Sequence, residues 1–236
     1  MHIFYTPDIL KSFELPYEEA QHCVLVLRLK EGDEVLLTDG AGHFFKAVIS
    51  LASQKHCKVE ILETISQALP WQNQIHIALA PTKNMDRNEF FAEKATEIGI
   101  NQISFLNCRY SERKEIKSER IEKILISAMK QSQKATLPQL QGMIDFKQFI
   151  TQNFDGQKFI AHCHAGEKIH LVNAYTKGQN VLILIGPEGD FSEEEVALAI
   201  KNGFQPVSLG ESRLRTETAA LTACQTIHFC SRFYRL

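Results

Sequence analysis

The hydrophobic and polar positions follow one pattern up to about residue 70 and a different pattern beyond it. In the first part, residues 34–63 contain three short runs rich in β-branched and aromatic residues, two of which are joined at Asp39-Gly40, a strong hairpin signal. Residues 18–27 are typical of a short helix. Short strands joined by tight turns favour a small β-barrel, which we predict for residues 1–70.

Apolar strands alternate with helical stretches in the rest of the chain, after a boundary marked by Pro70. The run Val-Leu-Ile-Leu-Ile at 181–185 has no polar residue in alternate positions, so we expect both of its faces to be buried. This is typical of a parallel sheet covered by helices, and it predicts an α/β domain over residues 74–236. The predicted strands are 74–80, 103–106, 158–163, 181–185 and 206–209.

Helix boundaries in the second domain are marked by capping signals. Residues 86–89 and 192–195 each have the spacing of a capping box, and Gly99 and Gly203 are the expected stops. The last helix is predicted to begin near Thr216.

Composition indicates a soluble globular protein, since 44% of the residues are hydrophobic and 23% are charged. No run approaches the ~18 apolar residues of a membrane span, and no secretory signal opens the chain. Six scattered cysteines without a CxxC pair predict reduced thiols and a cytoplasmic location. His162 and His164 would share one face of a strand with no second ligand pair nearby, so we predict no metal site.

The charge is unevenly distributed, although the formal net charge is only −2. Residues 109–134 carry eight Lys and Arg against four Glu, and residues 201–236 carry five basic against two acidic residues. Such patches can neutralise phosphates on an otherwise acidic protein. A solvated helix face explains the 109–134 run equally well.

The loop Gly186-Pro-Glu-Gly189 follows a buried strand and precedes a helix, which is where open α/β sheets bind ligands. The chain has neither GxxxxGK[ST] nor GxGxxG. Carboxylates at Asp190 and at residues 193–195 already complement the helix dipole and would repel a phosphate. The ligand is therefore expected to lack phosphate and to be neutral or cationic.

A second loop at Leu209-Gly210 also follows a predicted strand. Glycines in both loops permit close backbone approach, so that amide and carbonyl groups can recognise a flat heterocycle. Arg213, Arg215 and Glu217 stand at the start of the last helix, and the two arginines beside the crevice suggest an anionic or phosphodiester partner. Taken singly, each loop is explained as a turn and a cap, but their matching placement favours a site.

These two segments, residues 185–195 and 209–219, resemble the RsmE family of 16S ribosomal RNA uracil-N3 methyltransferases in the SPOUT superfamily. Residues 22–40 resemble the PUA-like RNA-binding domain of that family, and residues 83–99 resemble its middle segment. The resemblance covers nearly the whole chain.

The resemblance implies a PUA-like β-barrel followed by a SPOUT α/β domain with a trefoil knot. It implies S-adenosyl-L-methionine as methyl donor, a homodimer, and a uridine of 16S rRNA in the small ribosomal subunit as acceptor. This methyl donor has no phosphate and carries a sulfonium cation, so the carboxylates at the start of the helix would not repel it. The donor-binding residues implied are Leu184, Gly186, Glu188, Gly189, Leu209, Gly210, Leu214 and Thr218.

For catalysis we predict that Arg215 stabilises the developing uracil oxyanion. Glu217 either orients Arg215 or serves as the base, and a role as a first-turn helix carboxylate is as well supported. Arg28, Arg113 and Lys134 are the predicted RNA contacts.

Lys130 and Lys134 stand where the family often has an acidic residue and an arginine. Lysine lacks the bidentate fork of arginine, so the RNA contacts at this segment differ from the family pattern.

Three alternatives remain at this stage. The first is a non-catalytic RNA-binding protein whose second domain only dimerises, and the second is a related methyltransferase that acts on another RNA position or on tRNA. The third, a nucleotide-dependent enzyme, is disfavoured by the missing phosphate loops.

Overall fold

A computed structural model describes residues 2–53 and 55–233, with side chains described as far as Ser231. The chain divides into two compact units. The first comprises Met1–Pro70 together with Ile126–Leu137, and the second comprises Trp71–Leu125 together with Pro138–Leu236.

The first unit contains a four-stranded sheet in the order β1-β2-β3-β4. Strands β1 and β2 are parallel and the other neighbours are antiparallel. The predicted hairpin is confirmed: the Asp39 carboxylate accepts from the N–H of Ala41 at 2.7 Å, and Gly40 has φ 74°. The strands are β1 (Ile3–Tyr5), β2 (Glu34–Thr38), β3 (His43–Ala52) and β4 (Cys57–Ser66).

Two short helices, α1 (Ile9–Ser12) and α2 (Tyr17–Gln21), precede the hairpin, and α2 continues as a π-helical segment, His22–Val26. The helical prediction for residues 18–27 is therefore confirmed. Buried apolar side chains from these elements and from the sheet form one core that includes Phe4, Leu37 and Phe45.

A later stretch of chain completes the first unit. It contains the end of α4 (Ser118–Gln131) and the loop that follows. The carbonyl of Ala135 accepts from the N–H of Gly42 at 2.9 Å and from the hydroxyl of Thr38 at 3.3 Å. Lys130 places its ammonium 2.5 Å from a carboxylate oxygen of Glu19, and both side chains are largely buried. Lys130 is thus held by an acidic partner on α2.

The second unit is built on a parallel sheet of seven described strands, in the order β7-β6-β5-β10-β8-β11-β9. Every residue of β10 is buried, which agrees with its uninterrupted apolar sequence. The strands are β5 (Ile75–Leu79), β6 (Gln102–Asn107), β7 (Gln139–Asp145), β8 (Gln157–Ala161), β9 (Ile169–His170), β10 (Val181–Ile185) and β11 (Gln205–Ser208). Strands β7 and β9 were not among the sequence predictions.

The helices of the second unit are α3 (Met85–Ile98), most of α4, α5 (Phe146–Ile150), α6 (Leu171–Ala174), α7 (Glu193–Lys201) and α8 (Thr216–Phe233). The capping box of α7 is confirmed, because Ser192 and Glu195 each accept from the other's backbone N–H, at 3.2 and 2.9 Å. Asn202 caps the end of α7 and precedes Gly203.

Two predictions in the second unit were wrong in detail. The N-cap of α3 is Asn84, whose side chain accepts from the N–H of Asp86 at 3.0 Å, so Asp86 lies inside the first turn. Strand β8 ends at Ala161, so His162 and His164 lie in a loop and not on a strand. The three or more clustered side chains that a metal site needs are not found among the described residues.

None of the helices described for this chain combines the length and hydropathy that a membrane crossing requires.

Candidate functional site

Loops that follow three neighbouring strands of the sheet, β10, β8 and β11, form a crevice at its carboxyl edge. One chamber, of about 290 Å³, lies between the loop after β10 and the start of α8. A second, of about 440 Å³, lies against the loop after β11. The second volume is in the range of small-molecule sites, and the first is at the lower limit of that range. The two chambers share Ala161, Cys163, Arg213, Leu214 and Ala219, so they are parts of one crevice.

A buried hydrogen bond joins the walls of the first chamber. The hydroxyl of Thr216, at the start of α8, donates to the carbonyl oxygen of Gly186 at 3.0 Å. Both residues line the chamber. This bond holds the first turn of the last helix against the loop after β10.

The two loop glycines act in different ways. A Cβ at Gly186 would stand 3.1 Å from both the ring and the backbone nitrogen of Phe191, so the backbone there is too close to its neighbour for a side chain. Gly210 has φ 131° with open space around it, a conformation that other residues rarely adopt. Gly186 therefore permits close packing, whereas Gly210 permits a backbone turn.

Asp190 ties the loop after β8 to the loop after β10. Its φ is 67°, and its carboxylate accepts from the N–H of Cys163 at 2.7 Å and from the N–H of Phe191 at 2.8 Å. A ring nitrogen of His164 lies 2.6 Å from the carbonyl oxygen of Phe191. Cys163 and Asp190 line the first chamber, so this network fixes one of its walls.

Carboxylates occupy the N-terminus of α7, as the sequence predicts. Glu195 accepts from the N–H of Arg109 at 2.8 Å as well as from Ser192. The pKa of Glu194 is held below its usual range by its own backbone N–H, by the Ser192 hydroxyl and by Arg109. Because these carboxylates already complement the dipole at the N-terminus of α7, that N-terminus is not suited to bind a phosphate.

Glu188 binds the backbone of Lys83 and not the N-terminus of α7. Its side chain lines the first chamber and accepts from the N–H of Lys83 at 2.9 Å. The wall of the first chamber therefore carries two carboxylates, Glu188 and Asp190, on the side of the loop after β10, and two arginines, Arg213 and Arg215, on the side of α8.

The two predicted catalytic residues have different surroundings. Arg215 is exposed and lines the first chamber. Glu217 is only 7% exposed, and one of its oxygens, Oε1, lies 3.8 Å from Nε of Arg87 on α3. Its other oxygen, Oε2, is buried without a hydrogen-bond partner. Arg87 is a residue that the sequence analysis did not single out, because only the packing of α3 on α8 brings it to Glu217.

The predicted donor-binding residues are brought together only in part. Gly186, Glu188 and Leu214 line the first chamber, and Leu209 and Gly210 line the second. The other three residues line neither chamber. Leu184 is a fully buried core residue of β10, Thr218 is exposed on α8, and Gly189 is exposed, with Tyr110 3.1 Å from where its Cβ would stand.

The predicted RNA contacts fall in both units. Arg28, in the first unit, is exposed and has φ 57°. Lys134, also in the first unit, is half-buried. Arg113, in the second, donates to the carbonyls of Thr82 and Lys83 at 3.0 and 2.5 Å, so its guanidinium already supports the loop after β5.

Comparison with known proteins gives matches over nearly all of the chain. Residues 69–228 match the family described as an RNA methyltransferase domain, and residues 15–62 match the one described as an RNA methyltransferase PUA domain. Ribosomal RNA small subunit methyltransferase E from Synechocystis sp. is 31% identical over 209 residues, which cover 86% of this chain and 68% of the relative.

Solved structures match as well. The crystal structure of a probable rRNA-methyltransferase from Porphyromonas gingivalis is 47% identical, with a TM-score of 0.94 and complete coverage of both chains. That of ribosomal RNA small subunit methyltransferase E from Neisseria gonorrhoeae, bound to S-adenosyl methionine, is 26% identical, with a TM-score of 0.86 and 98% coverage of each chain.

Proposed function

The chain belongs to the RsmE family of RNA methyltransferases, and from that membership we propose that it transfers a methyl group from S-adenosyl-L-methionine to N3 of a uridine in 16S rRNA of the small ribosomal subunit. The observation that carries the proposal is the two-chambered crevice, which is walled by the same two loops that resemble the family.

The residues of the crevice fit this methyl donor. When bound, S-adenosyl-L-methionine supplies an activated methyl group on a sulfonium cation. Glu188 and Asp190 place negative charge in the wall of the first chamber. Gly210, in open space, leaves the backbone of the loop after β11 accessible to a flat adenine ring, and Gly186 lines the first chamber. We propose that these residues, with Leu209 and Leu214, hold the donor, and we retain Leu184, Gly189 and Thr218 as proposed neighbours of it.

Arg215 is the proposed group on the acceptor side. Methylation at N3 breaks the N3–H bond, whose proton passes to water, and the uracil anion that remains carries negative charge on its ring and oxygens. Forming the N3–CH₃ bond then breaks the bond between the methyl group and sulfur and leaves a neutral thioether. An exposed guanidinium at the mouth of the crevice is suited to stabilise that charge. Glu217 is proposed to act as an orienting carboxylate, since it is nearly enclosed and lines neither chamber of the crevice.

We propose that residues 1–70 form the RNA-binding domain and residues 74–236 the methyltransferase domain. Arg28, Arg113 and Lys134 are the proposed RNA contacts. The protein is proposed to act as a homodimer in the cytoplasm. Free thiols at all six cysteines agree with a reducing compartment.

The test offers methyl-labelled S-adenosyl-L-methionine to purified protein with small ribosomal subunits, naked 16S rRNA and tRNA in separate reactions. The expected result is label in 16S rRNA, with 3-methyluridine identified by mass spectrometry of the nucleosides. Label only in tRNA, or in another nucleoside, contradicts the proposed substrate. RNA binding without label in any reaction, and without donor binding in calorimetry, favours a non-catalytic RNA-binding protein.

A further inference from the structure

Glu217 is a buried carboxylate with an incomplete set of partners. Its side chain is 9% exposed, and Oε2 has no hydrogen-bond partner. Burial of an ionised carboxylate is costly unless it is paired. Among the described residues, one cation lies within ion-pair distance of this carboxylate in the first turn of α8.

That cation is Arg87, in the first turn of α3. Nε of Arg87 lies 3.8 Å from Oε1 of Glu217, too far for a good hydrogen bond but within ion-pair distance. Arg87 is about one-third exposed, while its partner is nearly enclosed. Solvent screens such a pair less than a surface pair. Loss of the pair therefore destabilises the start of α8, the helix that bears the carboxylate.

The pair lies directly behind the wall of the crevice. Glu217 follows Thr216, whose hydroxyl holds the carbonyl of Gly186, and Arg215 precedes both. The start of α8 is thus held at two points: Thr216 fixes it to the loop after β10, and Glu217 fixes it to α3. The segment that presents Arg215 enters the helix at this doubly held turn.

We propose that Arg87 and Glu217 form a positioning pair that sets the direction from which Arg215 faces the acceptor base. The inference rests on the proposed methyl transfer. Neither residue of the pair lines the crevice. The bond between Thr216 and Gly186 does not involve Arg87, so we expect donor binding to persist without Arg87 while the acceptor side loses its alignment.

Kinetics on the full-length protein test this role. We expect Arg87→Ala to lower kcat about tenfold or more, since misplacement by a fraction of an ångström is costly, while KM for the donor stays within about twofold. Arg87→Lys keeps the charge and is expected to recover most of the loss. Glu217→Gln, which keeps the size and removes the charge, is expected to behave like Arg87→Ala.

Arg120→Ala is the matched control. Arg120 also pairs with a glutamate of α3, Glu89, with 3.0 Å between Nη2 and Oε2, but it lies on α4 and not at the start of α8. We expect its kcat and its donor KM to stay within about twofold of the wild-type values, in line with the small contribution of exposed ion pairs.

Limited trypsin digestion gives a readout that does not depend on activity. Trypsin cleaves after arginine, and Arg213 and Arg215 are exposed just before α8. Loss of the pair is expected to speed cleavage at these two bonds severalfold in Arg87→Ala and Glu217→Gln, but not in Arg120→Ala, because cleavage reports local opening. Mass spectrometry identifies the cut sites.

Three results overturn the proposal: an Arg87→Ala kcat equal to that of the wild type, a donor KM that rises by the same factor as kcat falls, or cleavage after Arg213 and Arg215 at the Arg120→Ala rate. If the wild-type protein methylates no RNA, the proposed function fails, and the cleavage comparison alone decides whether the pair holds the start of α8.

Discussion

The hydroxyl of Thr216 donates to the carbonyl oxygen of Gly186 across 3.0 Å, in a position closed to solvent. This bond joins the two loops that were selected from the sequence as the walls of one site. Replacing the Thr216 hydroxyl by a methyl group leaves the buried carbonyl of Gly186 without its hydrogen-bond partner, which costs about 1–3 kcal/mol.

Thr216→Val is therefore expected to weaken S-adenosyl-L-methionine binding about tenfold, the equivalent of about 1.4 kcal/mol. Isothermal titration calorimetry measures the change. Thr222→Val makes the same substitution farther along α8, at a residue that lines neither chamber, and is expected to bind like the wild type. Equal affinities for the two variants would show that the bond does not shape the site.

Gly210→Ala is expected to lower donor affinity by distorting the loop after β11. The position has φ 131° and open space, so the added methyl group meets no neighbour and the cost is backbone strain of about 1–3 kcal/mol. Gly178→Ala is the control, because Gly178 has φ 85°, is equally unobstructed and lies outside the crevice. Both variants should lose thermal stability, but only Gly210→Ala should bind donor weakly.

Arg215→Ala is expected to bind donor and RNA nearly normally and to lower kcat about 10²–10³-fold, as loss of one oxyanion donor does elsewhere. Single-turnover methylation with saturating donor and subunits isolates this step. Arg215→Lys keeps the charge without the planar fork, so an intermediate rate is expected. Arg215→Ala turning over at the wild-type rate would remove it from the mechanism.

His76 predicts a pH dependence of stability. Its buried ring lies 2.8 Å from the Ser104 hydroxyl, and burial lowers its pKa from 6.5 to about 4. Between those values the unfolded chain binds a proton that the folded chain does not. The free energy of unfolding is therefore highest above pH 6.5 and decreases as the pH falls toward 4. The decrease that His76 causes is about 3 kcal/mol.

Urea denaturation between pH 7 and pH 4.5 tests this dependence. His76→Gln should have a flatter dependence than the wild type, because the titrating group is gone. His2→Gln, which removes an exposed histidine, should retain the wild-type slope. A wild-type slope in the His76→Gln variant would contradict the assignment.

Arg28→Ala is expected to reduce the salt dependence of RNA binding by about one unit of log–log slope, the signature of one lost phosphate contact. Donor affinity should not change. Lys177→Ala, an exposed cation in the second unit, is the comparison. Equal slopes for the two variants and the wild type would remove Arg28 from the RNA surface.

The elements best predicted from the sequence are those whose local signals agree with their burial. Strand β10 is confirmed residue for residue, because its apolar run is buried on both faces. The capping box at Ser192 is confirmed because both of its hydrogen bonds are local. Strand β7 was missed: most of its residues are only partly buried, so its sequence lacks a clear apolar run.

The contacts that could not be predicted from the sequence pattern are pairs of residues far apart along the chain. Glu217 and Arg87 are 130 positions apart, and only the packing of α8 on α3 joins them. Lys130 departs from the family pattern, yet its ammonium is held by Glu19 on α2, a partner far away along the chain. Periodicity describes each helix separately and carries no information about such partners. The trefoil knot that the resemblance implies likewise has no local signature in the sequence, and it stays a prediction.

The first unit depends on residues 126–137, which are made after the whole of residues 71–125. A nascent chain that has reached Pro70 contains all four strands of the first sheet but lacks Ala135, which accepts from Gly42 and Thr38, and Lys130, which neutralises Glu19. During synthesis on the ribosome, the first sheet therefore lacks these partners while the first strands of the second unit are being made. The first unit therefore cannot be completed until residue 137 has been synthesised, and strands β5 and β6 of the second unit are made in between.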